Sequence, residues 1–200
     1  MSYATQLATK AEAVTEHYTI EARASTFTVR AFATGMLSAF GHNPTIAISD
    51  FAGEIVLNPD AVEQSTLRLV IQSASLNVTD DISEKDRKEI TRKMQEEVLE
   101  CDSFPEILFD CSQGSATKTG DGQYWVALNG ELSLHGVTRS QPVSARVSVS
   151  GDMVRAQGEF SVLQSDFEIR PVSAAGGAVK LKDELKLSFN MSARNKRGGS

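Results

Sequence analysis

Apolar and polar residues alternate along most of this chain. The clearest run is Val179, Leu181, Asp183, Leu185, Leu187, Phe189 and Met191, with Lys180, Lys182, Glu184, Lys186, Ser188 and Asn190 in the gaps. Successive side chains of a strand point to opposite faces. Asp183 apart, one face of this segment is apolar and the other wet. The same period marks Tyr18-Ile20, Phe27-Ala31, Ile46-Ile48, Phe51-Leu57, Leu67-Ile71, Ile107-Cys111, Tyr124-Leu134, Val143-Val149 and Val154-Val162. A chain made mainly of such strands closes into a barrel or packs as a sandwich. Alternation alone does not distinguish a filled core from an open one.

The interruptions are as informative as the strands. The phase slips near Ser25 and Thr26, which predicts a bulge or a break between two strands. Turn residues gather at Gly41-His42-Asn43-Pro44, Asn58-Pro59-Asp60, Gly120-Asp121-Gly122 and Ser150-Gly151-Asp152. A Gly/Ala-rich loop runs from Ser173 to Ala178. Residues 83–99 follow a different period. Ser83 is placed to cap a helix, with Glu84, Asp86 and Glu89 near its positive end. Ile82, Ile90, Met94 and Val98 form a narrow apolar stripe on this charged helix, as in a lid packed on a sheet. The expectation is roughly eight to ten strands joined as sequential hairpins, plus one helix.

Composition narrows the classes. The chain has 200 residues, 40% of them hydrophobic, and a formal net charge of -6. That suits one domain with a sizeable core and disfavours a nucleic-acid partner. No run approaches the roughly 20 apolar residues of a membrane helix, and residues 1–17 lack the apolar core of a secretory signal. A cytoplasmic protein is expected, not embedded in a membrane. Cys101 and Cys111 are expected as free thiols, Cys111 within a strand. No repeat or low-complexity linker divides the chain. Residues 1–16 read as an arm, 17–193 as the domain, and 194–200, with Arg194, Lys196 and Arg197, as a frayed tail.

Four segments then fall into a familiar order: Phe51-Ala-Gly-Glu-Ile-Val-Leu, Phe104-Pro-Glu-Ile-Leu-Phe-Asp-Cys-Ser, Asn129-Gly-Glu-Leu-Ser-Leu-His-Gly-Val-Thr-Arg, and Phe160 to Phe167 ending Ser-Asp-Phe. Residues 17–193 resemble the YceI-like family, the polyisoprenoid-binding, lipocalin-like proteins of bacteria. The resemblance implies an all-β fold: an antiparallel barrel of about eight strands with one amphipathic helix near its mouth. It also implies an elongated apolar interior that holds an isoprenoid or fatty chain.

Candidate chemistry is sparse. No metal-ligand spacing, nucleophile elbow or phosphate loop stands out, so no cofactor, metal or catalytic residue is assigned. His17 reads as exposed and His135 as a hydrogen-bonding turn residue, while His42 sits in a turn that would face a barrel mouth. Asp183 takes an apolar-parity position, where a charge needs a bulge, a partner such as Arg170, or water. Gly53, Gly130 and Gly158 fall on apolar parity, permitting either sharp bending or room for a bound chain.

The reading is non-catalytic binding of a long-chain amphiphile, polyisoprenoid, quinone-like or fatty acyl. The ligand-binding candidates are Phe51, Ile55, Leu69, Phe109, Val126, Leu128, Leu132, Phe160, Leu187, Phe189 and His42. A lipid-processing enzyme using a rim histidine, a solid-core barrel acting as a stress-related interaction protein, and a homodimer all stay open.

Overall fold

The computed structural model describes residues 15–34, 43–59, 61–171, 173–174 and 179–195. His42, residues 1–14, the 175–178 loop and the tail beyond Asn195 lie outside them. The first half supplies β1 (Glu16–Ile20), β2 (Thr26–Arg30), β3 (Ala33–Thr34), β4 (Thr45–Ile48), β5 (Phe51–Leu57), β6 (Thr66–Gln72) and β7 (Leu76–Val78). After helix α1 (Glu84–Lys93) come β8 (Glu106–Cys111), β9 (Gly114–Gly120), β10 (Gln123–Leu134), β11 (Val137–Ser150), β12 (Met153–Leu163), β13 (Ser173–Ala174), β14 (Val179–Leu181) and β15 (Glu184–Asn195).

Eight strands close a barrel in the order β1, β5, β6, β8, β10, β11, β12, β15, and β15 returns to β1. Every pairing is antiparallel. Closure removes the exposed edges that an open sheet would leave. The long final strand makes closure possible. One edge of β15 pairs with β12 along its length, and the other pairs with β2 at residues 186–190 and with β1 at residues 193–195.

The phase slip is the break between β1 and β2. A 3-10 turn, Ala22–Ala24, separates them. Ser25 secures the junction: its hydroxyl donates to the Glu21 carbonyl at 2.9 Å and accepts from Ser192 N at 3.0 Å. Beyond it, β2, β4 and β7 extend the sheet in turn from the edge of β15. The hairpin turns fall where the glycines stand, and the β10–β11 turn places His135 and Gly136 both at positive φ, as a tight right-twisted hairpin requires.

Two features differ from expectation. Strand β9 has no apolar alternation, yet Ser115 to Lys118 pair with Tyr124 to Ala127 of β10. It continues the line of β8 after a kink at Ser112-Gln113, and backbone pairing rather than burial holds it. At the C-terminus the tail expected from residue 194 is a strand through Asn195. The Arg194 guanidinium lies 3.0 Å from Glu21 and 2.8 Å from Asp152, joining the ends of three strands. Both hydrogen-bonded carboxylates, Glu21 first, raise its pKa above the ordinary arginine value.

The helix begins as its sequence suggests. Ser83 Oγ accepts from Asp86 N at 3.1 Å and donates to the Asp86 carboxylate at 2.7 Å. The i, i+4 pairs Glu84–Lys88 and Glu89–Lys93 support it. It does not stay α-helical to residue 99. From Met94 to Val98 it widens into a π turn, and Glu100, at φ 46°, ends it. Among the described residues no helix is long and apolar enough to cross a membrane.

Candidate functional site

The inward faces of the strands do not fill the barrel. They enclose a cavity of about 650 Å³, lined almost wholly by aliphatic and aromatic side chains. This volume lies within the ~300–1,000 Å³ range of small-molecule sites. The cavity runs the length of β6. At the Thr66 end it reaches Val62, Glu63 and Ser65 in the β5–β6 connection. At the Gln72 end it reaches α1 and the π turn, through Ile82, Ile90, Met94, Val98 and Leu99.

Helix α1 therefore covers one mouth, and specific bonds keep it there. The Gln95 side-chain amide donates to the Ala74 carbonyl at 2.8 Å and the Leu76 carbonyl at 3.2 Å. Arg87 donates to the Asp80 carbonyl at 2.9 Å. The π turn has a use here, because widening the last turn brings Val98 and Leu99 together onto the cavity wall. On the outer side, the Glu96 carboxylate hydrogen-bonded to Arg92 raises that guanidinium's pKa further.

Nine of the candidate residues line this cavity: Ile55, Leu69, Phe109, Val126, Leu128, Leu132, Phe160, Leu187 and Phe189. They come from six strands of the barrel, and their common inward parity brings them together. Phe51 is the exception. It is buried behind the wall, its ring edge-on to Phe27 with centroids 4.8 Å apart, and Phe27 takes the lining position. His42 lies outside the described residues.

The glycines on apolar parity do not leave space for a bound chain. A Cβ on Gly130 would strike the Phe109 ring, and one on Gly158 would strike Phe189 Cζ and the Ser144 carbonyl. A Cβ on Gly53 would meet the Arg68 carbonyl and the Ile20 side chain. At Gly130 and Gly158 a neighbouring aromatic ring occupies the room that glycine vacates.

The polar candidates take structural positions. Asp183 sits at the bend between β14 and β15, where its carboxylate accepts from Ser165 N at 2.8 Å and Ser165 Oγ at 2.5 Å. Its partner is thus Ser165 rather than Arg170. The His135 ring lies against Phe104, centroids 4.5 Å apart, with Nδ1 3.3 Å from the Phe167 carbonyl. His17 is exposed on β1. Cys101 and Cys111 are free thiols, Cys111 buried in β8.

The candidate list missed the charged groups. Asp86, Glu89 and Lys93 on α1, and Glu63 at the opposite end, are the charged side chains among the described lining residues. The helical period contained the signal: residues 82, 86, 89, 90 and 93 share a face, so Asp86, Glu89 and Lys93 flank the apolar stripe.

An eight-stranded antiparallel barrel around an apolar cavity, closed over by one helix, is a lipocalin-like binding architecture. Residues 16–193 match the model of the YceI-like domain, and the chain belongs to that family. Solved structures agree on the fold. Burkholderia cenocepacia BcnA superposes with a TM-score of 0.65 at 16% identity, covering 86% of this chain and 98% of that one. A polyisoprenoid binding domain from Saccharophagus degradans gives 0.64 at 14% identity, covering 89% and 98%. The Campylobacter jejuni YceI protein gives 0.61 at 16% identity, covering 78% and 88%. No curated protein sequence matches the chain.

Proposed function

We propose that this protein binds a long-chain amphiphile, with the tail inside the barrel and the head group at the mouth beneath α1. The observation that carries the reading is the cavity: about 650 Å³, lined mostly by aliphatic and aromatic side chains, with the charged groups among its described lining residues at its two ends. Desolvation supplies the affinity. Each buried methylene is worth about 0.8 kcal/mol, so a chain of about a dozen carbons contributes about 10 kcal/mol before the entropy cost of association. No polar contact to the tail is needed for retention.

A polyisoprenoid, a quinone-like molecule and a fatty acyl chain all meet this requirement, and the polyisoprenoid binding domain among the structural neighbours favours the first. The role is read as binding rather than catalysis, since most of the residues that converge on the cavity are apolar. A solid-core barrel accounts poorly for the volume. Native mass spectrometry of freshly purified protein, followed by organic extraction, tests the reading. A bound species with a long hydrocarbon tail supports it. Ligand-free protein that also fails to take up an added long-chain alcohol contradicts it.

A further inference from the structure

Resting on that binding reading, we propose that the cavity discriminates on head-group charge: it accepts amphiphiles with a neutral or cationic hydrogen-bond-donating head and rejects carboxylate and phosphate heads. The charged lining groups among the described residues are three acids and one base. The base is not free. Lys93 Nζ lies 3.2 Å from Glu89 Oε1, so its charge is already compensated within the helix. Asp86 remains at the same mouth, about one turn toward the helix start from Glu89; its carboxylate accepts from the Ser83 hydroxyl at 2.7 Å, and its backbone N–H donates to Ser83 Oγ at 3.1 Å. At the far end the lining group is Glu63, another acid.

Among the described lining residues, an anionic head at the α1 mouth therefore meets one carboxylate outside any ion pair and no cation outside one. Turning the ligand end for end brings the head to Glu63 instead. Like charges a few ångströms apart at an exposed mouth repel, and salt weakens the effect. A hydroxyl, phenol, amide or amine avoids this repulsion and donates to the acids. The tail requirement is the same for every head, so tail burial and head discrimination are separable.

The test is a displacement titration at low salt with three ligands of one tail length: hexadecanol, hexadecylamine and hexadecanoate, each below its aggregation threshold. The expected order places hexadecanol and hexadecylamine on the order of tenfold tighter than hexadecanoate, with the gap narrowing as salt is added. The double variant Asp86→Asn/Glu89→Gln leaves Lys93 without its Glu89 partner at the cavity mouth. It should raise the affinity ratio of hexadecanoate to hexadecanol by on the order of tenfold. Circular dichroism and melting of the variant confirm that the barrel is intact. Equal affinity of the wild type for hexadecanoate and hexadecanol, or an unchanged ratio in the folded variant, overturns the charge discrimination while leaving tail binding in place. Failure of all three ligands to bind overturns the binding reading itself, and this one with it.

Discussion

The ring of Phe109 lies over Gly130 on the neighbouring strand, filling the place where any larger residue would put its Cβ. Phe109 also faces the cavity, so Gly130 sets the position of one wall. Gly130→Ala forces the ring to move, and overpacking of this kind costs about 1–3 kcal/mol. Chemical denaturation should show that loss. Shortening the ring in the same protein, as Gly130→Ala/Phe109→Leu, should recover part of it. Additive losses in the double variant would separate the two residues energetically.

The α1 cover should open before the barrel. Its residues are mostly exposed and its ion pairs lie in water, where each contributes little. Hydrogen exchange is expected to be faster for 84–98 than for the central part of β10. Gln95→Ala removes the tie to the Ala74 and Leu76 carbonyls, and should speed both exchange in α1 and ligand release. Unchanged release in that variant would mean the helix does not gate.

Much of this fold was legible before any coordinates. Inward parity picked out nine lining residues on six strands, and Ser83 marked the helix start. What the pattern lacked were effects that depend on neighbours far apart in the chain. Strand β9 is held by pairing with β10, and residues such as Ser115 and Thr117 carry no apolar alternation. The glycine–ring contacts join β8 to β10 and β12 to β15, and a period-two reading of one strand cannot see the ring of another. Phe51 has the right parity but stands behind Phe27, because β1 and β2 break apart beside it. The charged mouth is written in the helix-face neighbours of Ile90 and Met94, but a period of apolar residues does not mark them.

Arg194 shows the same limit from the terminal side. It reads as tail in the sequence and joins Glu21 and Asp152 in the structure. Its raised pKa means that the pairing persists below the ordinary arginine value and is lost only as pH rises past the raised one, so neutral pH changes do not affect it from the arginine side. Salt is the effective lever, because the group is open to solvent. Arg194→Gln should lower the melting temperature at low salt and converge with the wild type at high salt. A salt-independent difference would point to packing of the arginine stem instead.

Asp183 grips Ser165 by both carboxylate oxygens. Asp183→Ala removes both bonds to Ser165, which lie open to solvent, and should cost about 0.5–1.5 kcal/mol in a denaturant titration. Affinity in the folded fraction should hold, since Asp183 is not part of the cavity wall. A selective loss of affinity would bring it back as a site residue.

Filling the cavity tests the central claim most directly. Ala156 lines it, buried on β12. Ala156→Phe places a ring in space assigned to the ligand tail, and Leu128→Trp does so from β10. Hexadecanol affinity, measured by displacement on ligand-free protein alongside the melting temperature, decides the matter. The account predicts that affinity falls by tenfold or more while the melting temperature of the ligand-free protein holds or rises. Wild-type affinity in both folded variants would contradict it, placing the bound chain elsewhere than inside the barrel.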